Sequence, residues 1–213
     1  FIACGQSHSY DIEEVMIDQL IEGEVELEGD EEYRVDVYDG VDNTSMYLGL
    51  DGINAFHSIV PEGVFEFYDF IGMERTVGSR PETDYYAIRP LLSVKYLLNR
   101  SDGDAFIDTE TKDTLMPNYK YVKTDGGYYI YENENYIPYG FSYNYYMSYD
   151  FCENYSRENR ANLMLKAILL TDEQIEKYGH LLENLENVES YYEEVETTLS
   201  LSKEAFMLDC QKL

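Results

Sequence analysis

The sequence predicts an α+β fold, built on one mixed parallel and antiparallel sheet with packed helices and a helical C-terminal tail. Three observations support this class. A strand–helix–helix–strand succession spans residues 33–99, which is long enough for a right-handed crossover between parallel neighbours. A hairpin at 119–133 adds antiparallel pairing. Apolar residues at helical spacing occur towards both ends of the chain.

Nothing in the sequence divides the chain into separate units. It contains no internal repeat and no low-complexity linker. We therefore predict a single domain over residues 1–213, with a core at about 30–180 and peripheral helices at 10–22 and 181–201.

The first half of the chain supplies the predicted crossover. A helix over residues 10–22 begins after Ser9, a plausible N-cap. The alternating segment YRVDVYDG (33–40) predicts a strand closed by an Asp-Gly turn, and MYLGL (46–50) is either a second short strand or the loop after the first. The remaining elements are a helix over 64–72 with Pro61 in its first turn and Gly72 as its stop, a helical segment over 84–92 disturbed by Pro90, and a buried strand over 93–99.

The second half begins with a polar loop and continues into the clearest strands. YKYVKT (119–124) and YYIYEN (128–133) flank Asp-Gly-Gly and predict a hairpin, and YGFSYNYY (139–146) is expected to extend the same sheet. The helices predicted after these strands are 154–170, with Leu163, Ala167 and Leu170 on one face, a helix from the capping box TDEQ (171–174) through Tyr178 with Gly179 at its end, and an acidic amphipathic helix over 181–201.

The charge of the chain limits its partners. The formal net charge is −28, which favours a solvated anionic surface and repels phosphate backbones, so we expect no nucleic-acid partner. The chain begins at Phe1 rather than Met, which predicts a processed product or a piece of a larger protein. Its apolar runs, such as Ala167 to Leu170, are far shorter than the roughly 20 residues of a transmembrane helix.

Motifs for common chemistry are missing from the sequence. His8, His57 and His180 have no second His or Cys at a metal-ligand spacing, and the phosphate-loop, dinucleotide and nucleophile-elbow motifs do not occur. Cys4 and Cys210 could form a bridge that leaves Cys152 free, but the sequence leaves their redox state open.

One acidic loop is a candidate calcium site. Asp102, Asp104 and Asp108 lie within a few residues of each other, and carboxylate oxygens are the ligands that Ca²⁺ prefers. The loop lacks the Gly and the Glu that complete a standard calcium loop, so an ordinary polar loop is the alternative.

Tyrosines are concentrated in GGYYIYENENYIPYGFSYNYYMSY (126–149), which holds nine of the 23 tyrosines in a chain without tryptophan. Cross-strand aromatic pairs stabilise sheets, whereas exposed tyrosines suit a sugar or protein partner. On an extended strand Tyr129 and Tyr131 share one face, and Tyr128 and Ile130 share the other. Both faces are thus aromatic, and we expect at least one of them to be covered.

Four short motifs follow one another along the chain: YRVDVYDG, INAFHSIVP, RPLLSVKYLLN and YYIYENENYIPYGF. Their order and spacing over residues 30–145 resemble the large extracytoplasmic region of YfhO-type bacterial membrane proteins, and the helical segment through Gly179 is compatible with it. The positions that match are Arg34, His57-Ser58, Lys95-Tyr96, Glu132-Asn133 and Pro138-Gly140.

The resemblance implies a parent with many transmembrane helices, related to GT-C glycosyltransferases that use lipid-linked sugar donors outside the membrane. YfhO-like proteins are implicated in decorating cell-envelope polymers such as lipoteichoic acid. The catalytic acidic residue of GT-C enzymes lies on an early loop that this sequence does not contain. The resemblance therefore implies a soluble accessory domain on the extracytoplasmic side of the bacterial membrane, with no catalytic residue and no cofactor of its own. Its implied partners are the rest of the parent chain and an envelope glycan or polymer.

The resemblance also divides the tyrosine-rich segment. YYIYENENYIPYG matches the sheet-forming signature, which leaves the later tyrosines as a candidate ligand surface. The residues assigned to this surface are Tyr143, Tyr145, Tyr146, Tyr149 and His57. Two other functions stay open: a secreted or surface-anchored module that binds glycan or protein, and a soluble hydrolase that uses paired carboxylates.

Overall fold

The computed structural model describes residues 24–29, 32–83, 85–100, 103–108, 110–111, 113–116 and 118–188. The predicted helix at 10–22 and most of the one at 181–201 lie outside these ranges. The predicted α+β class with a mixed sheet is confirmed, since helices and strands both contribute substantially to the described chain. The strands are distributed over three sheets, however, rather than the one expected. The single domain stays a prediction.

The largest sheet has four strands in the order β1–β4–β6–β5. The strands are β1 Arg34–Val37, β4 Val94–Arg100, β5 Tyr119–Asp125 and β6 Tyr128–Asn133. β1 and β4 run parallel, as the predicted crossover requires, and β6 is antiparallel to both β4 and β5. Gly126 and Gly127 both have positive φ in the two-residue turn of the β5–β6 hairpin, a conformation that glycine adopts without strain.

Both faces of this sheet are covered. Tyr128 and Ile130 pack with Val35 and other residues on one face, and Tyr131 packs with Phe106 and its neighbours on the other. The alternation of side chains along β6 explains why an aromatic residue is buried on each face. β4 lies between β1 and β6, and other residues pack on both faces of the sheet. Six of its seven residues are therefore buried.

The chain between β1 and β4 folds into short elements that cover the sheet. They are α1 Thr44–Tyr47, β2 Ala55–Phe56, α2 Glu62–Phe70, β3 Gly78–Ser79 and α3 Ile88–Leu91. α2 confirms the predicted helix, which stops at Gly72 with φ of 78°. α3 is a single turn that contains Pro90, so the disturbed helix is also confirmed. Residues 46–50 form the end of α1 and a loop rather than a strand.

A three-stranded parallel sheet contains β7 Tyr145–Ser148, β8 Ala167–Leu170 and β9 Glu183–Asn184 in the order β8–β7–β9. The prediction that 139–146 extends the first sheet is wrong, because this segment enters β7. The predicted helix at 154–170 is also wrong at both ends. Helix α4 covers Tyr149–Glu153, α5 covers Arg157–Met164, and the remaining AILL segment is β8.

The next helix, α6 Asp172–Tyr178, forms as predicted. The Thr171 hydroxyl accepts a hydrogen bond from the Gln174 amide at 3.3 Å, and the Thr171 amide donates to the Gln174 side chain at 2.9 Å. Gly179 follows at the C-cap. The prediction of a helix from Leu181 is wrong for residues 181–188. Two 3-10 turns, Gly179–Leu181 and Leu185–Asn187, flank β9 in this part of the chain.

Candidate functional site

Three of the sequence motifs meet at one end of the four-stranded sheet. Arg34 begins β1 and pairs with Val94 of β4, and Tyr96 of β4 lies opposite Glu132 of β6. The start of the parallel strands β1 and β4 coincides with the end of the antiparallel strand β6, so distant parts of the sequence become neighbours. This gathering depends on strand register.

A lysine lies among tyrosine rings at this end of the sheet. The Lys95 ammonium lies 3.8 Å from a Glu132 carboxylate oxygen and 5.3, 5.2 and 5.9 Å from the ring centroids of Tyr33, Tyr96 and Tyr136. We call these five residues the lysine–tyrosine cluster. Ring faces and a carboxylate both attract a cation, so these groups hold the ammonium in place. The cluster therefore suits a structural role better than nucleophilic chemistry.

The tyrosine hydroxyls of the cluster hold the preceding segment of the chain. Tyr96 donates a hydrogen bond to the Glu28 carbonyl, and Tyr136 donates to the Glu32 carbonyl, each at 2.9 Å. Burial raises the pKa of Tyr96, and the Glu132 carboxylate raises it further. The Tyr96 hydroxyl thus remains a donor at neutral pH, and the two hydrogen bonds attach Glu28 and Glu32 to the sheet.

The tyrosine-rich surface begins beside this cluster, in a segment at 135–149 that contains no charged residue. Arg34 donates a hydrogen bond to the Leu92 carbonyl at 2.9 Å, and its guanidinium lies 4.9 Å from the Tyr139 ring centroid. Tyr139 and Phe141 are both exposed. A fixed cation beside exposed rings forms a surface that can stack on a sugar and donate to its oxygens.

The predicted ligand residues are not equally accessible. Tyr143 is half-buried and donates to the Met164 carbonyl at 2.6 Å, and burial raises its pKa to about 12. Tyr145 and Tyr146 are half-buried in β7. Tyr149 is exposed, with its ring 5.2 Å from that of Phe70. Tyr145 and Tyr146 thus lie on the central strand of the three-stranded sheet, and ligand binding at the four tyrosines stays a prediction.

His57 lies elsewhere, on the two-stranded ribbon formed by β2 and β3. Its side chain is exposed and its amide donates to the Val77 carbonyl at 2.7 Å. His57 is therefore not part of the tyrosine segment. The structure instead exposes Tyr139, which the resemblance placed in the sheet signature, and Phe141, which follows that signature. The signal that could have found them is the uncharged run of 15 residues, in a chain that is 27% charged.

The candidate calcium loop is described only in part. Asp108 accepts hydrogen bonds from the amides of Glu110 and Thr111, at 2.8 and 2.9 Å, as the side chain of a tight turn. Asp104 lies near Asp39, whose pKa is raised by burial and, to a lesser degree, by the Asp104 charge. Asp102 lies outside the described residues, and calcium binding stays a prediction.

No sequence motif predicted the buried ion pair between Asp36 and Arg89. Arg89 also donates to the carbonyls of Pro81, Glu82 and Tyr85, at 3.0, 3.0 and 3.1 Å. The other oxygen of Asp36 accepts from the Asn54 amide at 2.7 Å, and the Arg89 guanidinium lies 4.8 Å from the Phe106 ring centroid. Because these charges are fully paired and closed to solvent, the pair joins α3 to β1 rather than serving chemistry.

The cysteines remain partly open. Cys152 is buried and its thiol is free, and burial raises its pKa to about 11. It is therefore unreactive. Cys4 and Cys210 lie outside the described residues, so the bridge between them stays a prediction.

The fold and this surface define an acidic α+β structure with an uncharged, tyrosine-rich segment. None of the helices in the described part of the chain combines the length and the hydrophobicity that a bilayer crossing needs. The chain belongs to the YfhO family, described as bacterial membrane protein YfhO, whose model matches residues 13–207. Among curated proteins and solved structures, nothing matches the chain.

Proposed function

We propose that this chain is an extracytoplasmic accessory domain of a polytopic membrane glycosyltransferase that decorates cell-envelope polymers of the lipoteichoic acid type. The observation that carries the proposal is the family match over residues 13–207. In this role the domain positions the acceptor, and bond formation takes place elsewhere in the parent protein. The rest of the parent chain is then its permanent partner, and no cofactor binds to the domain itself.

The chemistry of the described residues supports a positioning role. The buried charges of Asp36 and Arg89 are paired with each other, and Arg89 also donates hydrogen bonds to backbone carbonyls. Lys95 is occupied by Glu132 and the surrounding rings. Such pairing stabilises a scaffold, whereas a catalytic acid or base must exchange protons with a substrate.

The segment at 135–149 is the favoured place for acceptor contacts. An anionic polymer is repelled by a chain of net charge −28, and the repulsion is weakest where carboxylates are absent. The segment itself has no carboxylate, and Arg34, 4.9 Å from the Tyr139 ring centroid, offsets the Asp51 and Glu32 charges that also act on Tyr139. Exposed rings of Tyr139, Phe141 and Tyr149 offer stacking faces to sugar units.

A glycan- or protein-binding module is the second candidate function. It uses the same exposed rings of Tyr139, Phe141 and Tyr149 but needs no transferase in the parent protein. The two candidates differ in the expected effect of removing these rings. Only the first candidate predicts that polymer glycosylation in the cell then falls.

The test compares two variants of the full-length protein in cells. The Tyr139→Ala/Phe141→Ala variant should lower the sugar content of the envelope polymer, because loss of two stacking faces weakens acceptor binding about tenfold. Tyr178→Ala, which removes a comparably exposed ring on α6, is the matched control and should leave it unchanged. Unchanged glycosylation at equal protein levels contradicts acceptor positioning. Sugar transfer by the isolated chain contradicts an accessory role.

A further inference from the structure

A second surface, on the two-stranded ribbon, exposes apolar side chains. Five large apolar residues from three segments are exposed here, with exposed fractions between 43 and 90%. They form what we call the ribbon patch: Met46, Tyr47, Phe56, Ile59 and Val77. A patch of this kind on a folded domain marks an interaction surface.

Hydrogen bonds hold the three segments together. The Asn43 side chain, at the start of α1, both donates to the Phe56 carbonyl at 3.3 Å and accepts from the Phe56 amide at 2.8 Å. The His57 amide donates to the Val77 carbonyl at 2.7 Å. Ser79 of β3 is bonded to the Tyr68 hydroxyl of α2 at 3.0 Å. The patch is therefore a fixed surface on the folded core.

The segment that supplies most of the patch is poor in carboxylates. Of the 213 residues, 43 are acidic, or one in five, but the 19 residues from 43 to 61 include a single carboxylate, at Asp51. Two arginines flank the ribbon. Arg75 donates to the Gly78 carbonyl at 2.7 Å, and Arg80 donates to the Gly40 carbonyl at 2.8 Å while it also pairs with Asp42 at 3.3 Å. The segment 43–61 thus combines exposed apolar groups with few carboxylates, and the Arg75 guanidinium lies at the ribbon.

We propose that the ribbon patch docks on the surface of the lipid bilayer. Bacterial bilayers carry anionic headgroups, which repel carboxylates and attract arginine. Ile, Phe and Met side chains gain free energy when they enter the boundary between headgroups and acyl chains, and tyrosine suits the headgroup level. The family is one of membrane proteins, so a bilayer is always close to this domain. The inference depends on family membership, and not on the acceptor or the side of the membrane proposed above.

The absence of tryptophan from the chain permits a direct test. Ile59→Trp places a single fluorophore in the patch, where the native side chain is 90% exposed, and Leu181→Trp places one at a matched site that is 69% exposed. Each variant is mixed with vesicles of phosphatidylglycerol and phosphatidylethanolamine that contain brominated lipid, at about 0.15 M salt to screen the overall charge. The Ile59→Trp emission should shift to shorter wavelength and be quenched, and the Leu181→Trp emission should do neither.

A second measurement guards against an effect of the new tryptophan itself. In vesicle sedimentation, Phe56→Ser/Ile59→Ser should bind about tenfold more weakly than the unaltered chain, since two apolar contacts are lost. Equal quenching at both positions, or none at position 59, overturns the proposal. A third result would also overturn it: the unaltered chain binds no vesicles but self-associates in sedimentation velocity, and Phe56→Ser/Ile59→Ser abolishes the self-association. A second copy of the chain would then cover the patch. A negative result here leaves the glycosylation test unaffected.

Discussion

The Arg89 guanidinium lies 2.8 Å from the Asp36 carboxylate, and neither side chain is exposed to solvent. Asp36 is in the central part of β1, and Arg89 is in the single turn of α3 that precedes β4. The pair therefore fixes the end of the crossover against the strand where the crossover began. Removal of one partner leaves the other charge buried without compensation.

This arrangement makes Asp36 critical for stability. We expect Asp36→Ala to lower the free energy of unfolding by about 3–5 kcal/mol, and Asp36→Ala/Arg89→Met to recover part of the loss because no buried charge remains. Urea denaturation measures both. The control is Asp42→Ala at the exposed Asp42–Arg80 pair, with 3.3 Å between the charged atoms, where the loss should be about 1 kcal/mol or less. Similar losses at the two pairs would contradict the structural role.

The hairpin offers a matched pair of tyrosines. Tyr131 of β6 lies directly opposite Tyr121 of β5, but Tyr131 is 1% exposed and Tyr121 is 54% exposed. We expect Tyr131→Ala to cost about 3–5 kcal/mol because it opens a cavity in the core, and Tyr121→Ala to cost about 1 kcal/mol or less. Thermal unfolding followed by circular dichroism ranks the two variants. A larger loss of stability for Tyr121→Ala than for Tyr131→Ala would contradict the burial of Tyr131 on this face of the sheet.

The lysine–tyrosine cluster is predicted to stabilise the fold through its charge. Lys95→Met keeps most of the apolar stem but removes the ammonium from three ring faces, and should cost about 1–2 kcal/mol. Lys120→Met removes a lysine that is 70% exposed and pairs with Glu134, and should cost about 0.5 kcal/mol or less. Chemical denaturation of the two variants gives the comparison. Equal effects would mean that the rings make no special contribution.

Two carboxyls should give stability changes of opposite sign with pH. Burial raises the pKa of Asp39 in the folded state, so its ionised form destabilises the protein above the ordinary value of 3.8. Lys123, which donates to it at 2.9 Å, lowers the pKa of Asp125 below 3.8, so its ionised form stabilises the protein. Asp39→Asn should therefore raise stability at pH 7, and Asp125→Asn should lower it.

Both differences should disappear in acid, for different reasons. Asp39 loses its destabilising effect as pH falls from its raised folded pKa to 3.8, whereas Asp125 loses its stabilising effect as pH falls from 3.8 through its lowered folded pKa. Denaturation of the two variants and the parent chain between pH 2 and 7 follows these changes. Differences of the same sign, or differences that persist below both pKa values, would refute the assignment.

Sequence patterns predicted the elements that local chemistry defines. The capping box at Thr171 and Gln174 and the two glycines after Asp125 act through neighbouring residues, so the helix α6 and the β5–β6 hairpin could be recognised directly. Ala167–Leu170 could not be assigned in this way. A short continuous apolar run fits a buried strand and a buried helix equally well, and only pairing with β7 selects the strand.

The surfaces were harder to predict than the elements. The motif residues Arg34, Lys95 and Glu132 are far apart in sequence, and their meeting depends on how β1, β4 and β6 align. Tyr139 is exposed because the chain leaves the four-stranded sheet after β6 and before β7. No local sequence pattern predicts this departure. The ribbon patch likewise depends on the hydrogen bonds of Asn43 to Phe56 across a loop.

The location of the domain outside the cell is the central claim, and surface labelling of the full-length protein tests it most directly. Leu181 is 69% exposed, so the Leu181→Cys variant presents an accessible thiol, whereas Cys152 is buried and should not react. Cys4→Ser and Cys210→Ser remove the other two cysteines of this chain, and the same protein with Leu181 retained measures labelling at any other site. A maleimide that cannot cross membranes should label this variant in intact cells as completely as after lysis. Labelling that appears only after lysis would place the domain in the cytoplasm and contradict the account.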